Sequence, residues 1–286
     1  MNDFIVPIVT PFTSDNTIDK AKLRRHADYL FKNGVDQLLL AGSTGLGPSI
    51  STNEKISLLE EFEDLPDKVI LQVGGLDIEE SKSLAMAAKK HNIAAIAALP
   101  PYYYPRVPEE WYSRYFREIS EIYPTLAYNF PLTTGYNIFP PLIKKVNREG
   151  GNIIGIKETL PDLAHMLNFK WEFSPSFKVY CGPDPLIYPS IKAGMDGVVA
   201  GSGNYAPSLV NAIISDMDNN GMKSQKTLST LTSVVQKYGQ WAANYSMIRI
   251  LLKYDAGMPR SPMYALSTEQ ENALEKEVTA LLNAKQ

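Results

Sequence analysis

Short apolar runs alternate with helical patterns at near-constant spacing along most of this chain, and this rhythm most constrains the fold. The pattern predicts strands over 4–9, 35–41, 68–73, 93–99, 125–130, 152–157, 177–181 and 197–200, with helices between them. Strands that alternate with helices form parallel sheets, because each helix returns the chain across the sheet. About eight strand–helix pairs in roughly 220 residues favour a (β/α)₈ barrel over a doubly wound sheet.

The barrel is predicted to occupy residues 1–220, and the remainder, 221–286, is helical in pattern. Ser267 and Gln270 form a capping box ahead of a helix whose apolar residues include Leu274 and Val278. We expect these helices to pack on the barrel, or against a neighbouring subunit, as an extension of the same structural unit.

Composition excludes several classes of function. The net charge is -3 and no basic run occurs, so nucleic acid is not expected as a partner. The three histidines lie far apart and Cys181 is the only cysteine, which argues against a metal site and a disulfide framework and suits a reducing compartment. No apolar stretch is long enough to span a membrane, and the chain does not begin like a signal peptide. We expect a cytoplasmic protein.

The predicted sixth strand is an apolar run that ends abruptly in Lys157. Strand alternation predicts that Ile153, Gly155 and Lys157 share one face, with Ile154 and Ile156 on the other. Gly155 would then leave empty space beside the lysine, as an amine nucleophile at the mouth of a cavity requires. A lysine that simply points from a strand end into water is the alternative.

Residues that follow barrel strands gather at one face, where chemistry is expected. Tyr128 and Lys157 end consecutive strands, which lie about 4.8 Å apart, so a phenol that can carry protons lies near the amine. Ser43 and Thr44 follow the second strand between glycines, where hydroxyl and backbone N–H groups can hold a carboxylate. A glycine turn with hydroxyl caps would show the same residues.

Asp184 follows the seventh strand and can recognise substrate hydroxyls or cap the next helix. The aromatic loop 100–106 is predicted to cover the barrel mouth or to insert into a partner subunit. A lysine, a tyrosine and a pair of hydroxyls form a chemically complete set for imine chemistry on a 2-keto acid, because a protonated imine accepts electrons from the neighbouring C–C bond. The surroundings of the lysine must keep part of it as the free amine.

Three motifs in this order resemble the dihydrodipicolinate synthase/N-acetylneuraminate lyase family, with a match from residue 6 to the C-terminal helices: 42–45 (GSTG), 128–131 (YNFP) and 155–159 (GIKET). The resemblance implies that Lys157 forms a Schiff base with pyruvate and that Tyr128 shuttles protons. It also implies that Ser43 and Thr44 grip the substrate carboxylate, and that Tyr103 enters the site of an adjacent subunit in a homotetramer. No cofactor is implied.

Within that family, the synthases carry a glutamate and an arginine where this chain has Leu46 and Thr133. The segments 45–49, 72–76 and 101–106 instead resemble archaeal 2-keto-3-deoxygluconate aldolases. That likeness implies reversible cleavage of 2-keto-3-deoxygluconate to pyruvate and glyceraldehyde, with further substrate contacts from Thr159, Gly182 and Asp184.

Members that also accept the 6-phosphate carry two arginines, a tyrosine and a serine for the phosphate. Here Arg106 retains one arginine, while Phe130, Gln236 and Gln240 replace the other three groups. Each lost charge-assisted bond is worth about 1.5–3 kcal/mol, so we expect a preference for the non-phosphorylated sugar acid. A dual-specificity aldolase, another pyruvate lyase such as sialate lyase or dihydrodipicolinate synthase, and a non-catalytic keto-acid sensor are the alternatives.

Overall fold

The computed structural model describes residues 2–104 and 106–283. Eight parallel strands close into a barrel in sequence order, because β1 pairs with both β2 and β8. The strands are β1 Asp3–Val6, β2 Gln37–Leu40, β3 Val69–Gln72, β4 Ala95–Ala98, β5 Thr125–Asn129, β6 Ile153–Glu158, β7 Lys178–Cys181 and β8 Gly197–Val199. The predicted (β/α)₈ barrel is confirmed.

Within the described residues, helices alternate with the strands and continue after the last one. Their bounds are α1 Lys20–Lys32, α2 Thr52–Glu60, α3 Ile78–Lys90, α4 Glu109–Ser120, α5 Pro131–Thr134, α6 Pro140–Arg148, α7 Leu163–Glu172, α8 Ile187–Lys192, α9 Pro207–Ser215, α10 Met222–Lys237, α11 Gln240–Leu252 and α12 Thr268–Asn283. None of them is long and apolar enough to cross a bilayer.

Local capping explains where several helices begin. Asp19 accepts a hydrogen bond from the Lys22 N–H at the start of α1, and Ser51 forms a complete capping box with Glu54 at the start of α2. Ser267 and Gln270 exchange the same pair of bonds before α12, as predicted.

The first strand is shorter than the predicted 4–9 and ends at Val6. Pro7 has no N–H to donate to a strand ladder, so the chain leaves the sheet there. The Asn204 side chain then accepts from the Val9 N–H at 3.0 Å and donates to the Pro7 carbonyl at 3.0 Å.

The facing of β6 differs from strict alternation. Thr125 pairs with Ile153 while Leu126 pairs with Gly155, so an extra residue forms a β-bulge. Ile153 therefore packs with Ile156 in the core between barrel and helices, and Ile154 packs against the cluster inside the barrel. The prediction for Ile153 and Ile154 was wrong, because a bulge shifts the period of two by one residue.

The expected empty space beside Gly155 is also absent. A Cβ placed there would lie 2.5 Å from the Lys178 carbonyl oxygen and 3.0 Å from a Leu126 methyl carbon. Glycine is needed because the neighbouring strand approaches closely, and the space for a ligand lies elsewhere.

The C-terminal helices share the core of the barrel. Leu228 and Leu231 of α10 and Leu274 of α12 belong to the same buried cluster as Phe4 and Val6 of β1. We therefore propose that the residues after 220 form an extension of the barrel and not an independent domain.

Candidate active site

A cavity of about 330 Å³ opens at the carboxyl ends of the strands. Eight of the ten residues proposed from the sequence line it: Ser43, Thr44, Tyr128, Phe130, Lys157, Thr159, Gly182 and Asp184. The strands place these side chains at one rim, although they are up to 141 positions apart in the chain (184 − 43). This is the face of a (β/α)₈ barrel where active sites occur.

Lys157 and Tyr128 are direct register partners on β6 and β5. The lysine side chain is 5 % exposed, and its nitrogen lies 3.8 Å from the centre of the Tyr128 ring. The negative face of an aromatic ring stabilises an ammonium group that is partly removed from water. The ring of Phe130 lies nearly parallel to that of Tyr128, with the two ring centroids 6.1 Å apart.

The Tyr128 hydroxyl is directed to the loop after β2, where it lies 3.2 Å from the Ser43 hydroxyl. The loop closes tightly on its own start, since a Cβ at Gly47 would lie 1.7 Å from the Ala41 carbonyl oxygen. Thr44 is 9 % exposed and lines the same cavity. The phenol and two hydroxyl groups therefore meet at one side of the lysine.

Thr159 and Gly182 complete the wall next to β6. The Thr159 hydroxyl donates to the Asn129 carbonyl oxygen at 2.6 Å, so toward a ligand this hydroxyl can act only as an acceptor. A Cβ at Gly182 would lie 2.5 Å from the Glu158 carbonyl oxygen, which accepts the Gly182 N–H at 2.7 Å. Glycine is required there by the close approach of β7 to β6.

Asp184 provides a carboxyl group just after β7. Burial raises its pKa to about 6, while hydrogen bonds from Ser202 and the charge of Lys157 act in the other direction. The Ser202 hydroxyl donates to Oδ1 of Asp184 at 2.7 Å, and the Ser202 N–H donates to Oδ2 at 3.3 Å. Gln225 of α10 donates to the Asp184 carbonyl oxygen at 2.9 Å and so ties α10 to the segment after β7.

Tyr103 and Arg106 do not line the cavity of their own chain. Tyr103 is 78 % exposed and Arg106 is also exposed. Both have positive φ angles, 69° and 65°, which non-glycine residues adopt infrequently. The loop therefore presents both side chains away from the cavity of its own chain, and the assignment of Tyr103 to the site of an adjacent subunit stays a prediction.

The C-terminal helices supply the rest of the lining: Gln236 and Gln240, which the family resemblance placed at phosphate positions, and Thr232 and Trp241, which it did not mark. One wall of the cavity, called the far wall below, is formed by α10 and α11 through Thr232, Gln236, Gln240 and Trp241. No strand-end pattern marks these positions, because only tertiary packing brings α10 and α11 over the rim. Among the lining residues, Lys157 is the single cation and Asp184 the single acid.

A closed (β/α)₈ barrel with a buried lysine at its carboxyl rim is the general class that the fold and the site define. The profile of the dihydrodipicolinate synthetase family matches residues 1–281. The chain belongs to this family, which confirms the resemblance found in the sequence.

The chain is 38% identical over 282 residues to the 2-dehydro-3-deoxy-phosphogluconate/2-dehydro-3-deoxy-6-phosphogalactonate aldolase of Sulfurisphaera tokodaii, covering 96% of each protein. It is 33% identical to the 2-dehydro-3-deoxy-D-gluconate/2-dehydro-3-deoxy-phosphogluconate aldolase of Thermoproteus tenax, covering 94% of this chain and 88% of the relative. A Sulfolobus 2-keto-3-deoxygluconate aldolase in complex with D-KDPG superposes with a TM-score of 0.93 and 36% identity, covering 99% of this chain and 97% of the other.

Proposed function

We propose that this protein is a class I aldolase that cleaves 2-keto-3-deoxygluconate reversibly to pyruvate and glyceraldehyde. The observation that carries the proposal is the buried Lys157 beside Tyr128 at the rim, with the Ser43 hydroxyl 3.2 Å from the phenol. The aldolase names of full-length relatives support the same chemistry.

In the cleavage direction, the free amine of Lys157 attacks the C2 ketone and forms a carbinolamine. Tyr128 donates its proton to the departing hydroxyl, water leaves, and a protonated imine remains with a phenolate. The phenolate takes the proton of the C4 hydroxyl as the C3–C4 bond breaks, and the bonding electrons move into the imine to form an enamine. Glyceraldehyde leaves as the C4 carbonyl forms.

The enamine of pyruvate is then protonated at C3, and water hydrolyses the resulting imine to release pyruvate and the amine. Ser43 and Thr44 hold the C1 carboxylate through their hydroxyl and N–H groups. Tyr128 can pass its proton to and from Ser43 during these steps, because their oxygens are already at hydrogen-bonding distance.

The walls around the lysine favour a polyol chain over a phosphorylated one. We propose that Asp184, Thr159 and the backbone at Gly182 contact the sugar hydroxyls. The far wall presents the neutral side chains of Gln236 and Gln240, and Lys157 is the single cation of the lining. The names of two relatives include phosphorylated substrates, one of them beside the non-phosphorylated sugar acid, so we expect this preference to distinguish the present chain from them.

Tyr103 and Arg106 fit a role in another copy of the chain. The exposed loop carries Tyr103 and Tyr104, 78 % and 61 % exposed, which would bury apolar surface on association. We propose a homotetramer in which Tyr103 reaches the cavity of an adjacent subunit and Arg106 lies at its mouth. A cytoplasmic location stays a prediction and suits the buried thiol of Cys181.

Borohydride reduction in the presence of pyruvate tests the imine directly. The wild-type protein should gain one pyruvate-derived adduct per chain, located on Lys157 by peptide mass spectrometry. Lys157→Arg keeps a cation but lacks a nucleophilic amine, so it should give no adduct and no aldolase activity. An unmodified wild-type Lys157 would eliminate every imine mechanism and leave the keto-acid sensor.

A panel of sugar acids, scored for pyruvate release, then tests the substrate. We expect 2-keto-3-deoxygluconate to give a higher kcat/KM than its 6-phosphate. Equal kcat/KM values for the two substrates would indicate a dual-specificity aldolase. Pyruvate release from sialate alone would indicate a sialate lyase.

A further inference from the structure

Asn129 and Glu158 directly follow the two proposed catalytic residues, Tyr128 and Lys157, and they are bonded to each other. They are register partners on β5 and β6, and both are fully buried. Nδ2 of Asn129 donates to Oε2 of Glu158 at 2.7 Å. Side chains alternate along a strand, so Tyr128 and Lys157 face into the barrel while this bond lies on the outer face. The bond holds the two strands together at that point.

The Glu158 carboxylate has partners on both oxygens. Oε2 also accepts from Nδ1 of His165 at 2.6 Å, and Oε1 accepts from the Leu160 N–H at 2.6 Å. A buried carboxylate without such partners is strongly destabilising, so Glu158 holds its three donors in one arrangement. The end of β6 is thereby tied to its own continuation and to α7.

His165 is a well-seated donor for this carboxylate. Its ring meets the rings of Phe139 and Phe169 edge-on, each with centroids 5.3 Å apart. Burial lowers the pKa of His165, but the hydrogen bond and charge of Glu158 outweigh it and raise the pKa above the ordinary 6.5. Because a carboxylate oxygen can only accept, Nδ1 of His165 is the donor of this bond.

The same cluster reaches the inner rim through Asn129. Its carbonyl oxygen accepts from both the N–H and the hydroxyl of Thr159, at 3.1 and 2.6 Å. Its Oδ1 accepts from the Ile138 N–H at 2.9 Å, which anchors the segment after α5. One buried polar network therefore fixes both the end of β5 and the residues that directly follow Lys157.

We propose that Glu158 and His165 are positioning residues, which hold the end of β6 so that the Lys157 nitrogen stays in the geometry for imine formation. The inference rests on the proposed imine chemistry. A misplacement of about 1 Å at a reacting group can lower a rate on the order of 100-fold, so loss of this network reaches the chemistry without removing a reacting atom.

Three variants test the pair. Glu158→Gln has the same shape, but its NH₂ group must face either the Leu160 N–H or the donors of both Asn129 and His165, so at least one bond is lost. His165→Phe keeps the aromatic contacts and removes the donor. His165→Asn restores an N–H near the position of Nδ1. We expect kcat to fall about 10- to 100-fold in the first two, with KM within about threefold, and to recover in large part in the third.

Asn147→Ala is the matched control, because Asn147 of α6 holds the other end of β6. Asn147 bonds both the N–H and the carbonyl of Ile153, at 2.8 and 2.9 Å, far from the rim. It should lower the Tm, because two hydrogen bonds are lost, and leave kcat unchanged.

The rate of imine formation with pyruvate, measured by borohydride quenching and normalised to the folded fraction from circular dichroism, separates positioning from stability. A reduced rate in folded Glu158→Gln, with recovery in His165→Asn relative to His165→Phe, supports the proposal. A wild-type rate in folded Glu158→Gln overturns it. If wild-type protein forms no adduct, the proposed function has failed instead.

Discussion

The nitrogen of Lys157 lies 3.8 Å from the centre of the Tyr128 ring, while the hydroxyl of that ring lies 3.2 Å from Ser43. The face of this ring is therefore placed to stabilise the ammonium, and we propose that its hydroxyl carries protons. The two contributions are separable, because replacement by phenylalanine retains the face and deletes the hydroxyl.

Tyr128→Phe should lower kcat about 10²- to 10⁴-fold, because proton transfer at the carbinolamine and at the C4 hydroxyl loses its carrier. The free energy of unfolding should change by about 1 kcal/mol or less, since one hydrogen bond is lost. Steady-state kinetics and thermal unfolding check both expectations. A variant with kcat within threefold of wild type would assign the proton transfer to another group.

Asp184 should give the affinity for the sugar acid a pH dependence centred near 6. Its pKa is raised to about 6 by burial, so the carboxyl changes from donor to charge-bearing acceptor between about pH 5 and 7. A carboxylate accepts hydrogen bonds from hydroxyl groups more strongly, so KM should fall on the order of tenfold as the pH rises. Asp184→Asn should flatten the profile, and a profile that persists would exclude Asp184 as its source.

The same shift has a consequence for stability. A carboxyl whose pKa is raised in the folded state contributes stability that is present below its ordinary 3.8 and lost as the pH rises through about 6. Asp184→Asn stays neutral at all these pH values. Above pH 7 its Tm should equal or exceed that of the wild type, and below pH 4 the difference should shrink or reverse. A uniformly lower Tm would contradict the assigned shift.

Gln236→Arg should improve use of the 6-phosphate, because it adds a guanidinium to the neutral far wall of the cavity. One charge-assisted bond of about 1.5–3 kcal/mol corresponds to about a 10- to 150-fold gain in kcat/KM for the phosphorylated substrate. Gln236→Met, of similar length and without charge, is the control. Equal changes for both substrates, or for both variants, would show that residue 236 does not contact the phosphate end.

Subunit mixing tests the loan of Tyr103. Lys157→Ala and Tyr103→Ala should each have low activity alone. After subunit exchange at a 1:1 ratio, about a quarter of the sites should combine an intact Lys157 with an intact Tyr103 from a neighbour, which restores measurable activity. A mixture no more active than the mean of its components would place Tyr103 outside the neighbour's site.

Glu54 and Arg260 should stabilise the fold in a pH-dependent way away from the site. Arg260 donates to both carboxylate oxygens of Glu54 and, with burial acting against it, lowers the Glu54 pKa to about 2. This contribution is present above the ordinary 4.5 and is lost as the pH falls toward 2. Glu54→Gln should cost about 1–2 kcal/mol at pH 7, after allowance for partial exposure, and progressively less below pH 4 in urea unfolding. A difference that is constant with pH would exclude the ion pair as its cause.

Much of the rim was predictable from local pattern. The strand–helix rhythm predicted the barrel, and consecutive strands are neighbours in such a fold, so Tyr128 and Lys157 were expected side by side. Register pairing bears out that adjacency. The position of Ser43 and Thr44 at the rim was also predictable, because the loop that carries them directly follows β2.

Other features depended on contacts that no local pattern contains. The bulge in β6 is a mismatch between two strands, so the sequence of β6 alone misplaced Ile153 and Ile154. The close approach of Lys178 to Gly155 is likewise a property of strand pairing.

By itself, the sequence determined the barrel, the strand ends and the chemical types gathered at the rim, because these follow from hydrophobic period and strand order. Only the tertiary structure decided that α10 and α11 close the cavity with Thr232 and Trp241, and that Glu158 and His165 brace the strand of Lys157 from outside. Both depend on packing between residues far apart in the chain, where sequence spacing carries no geometric information.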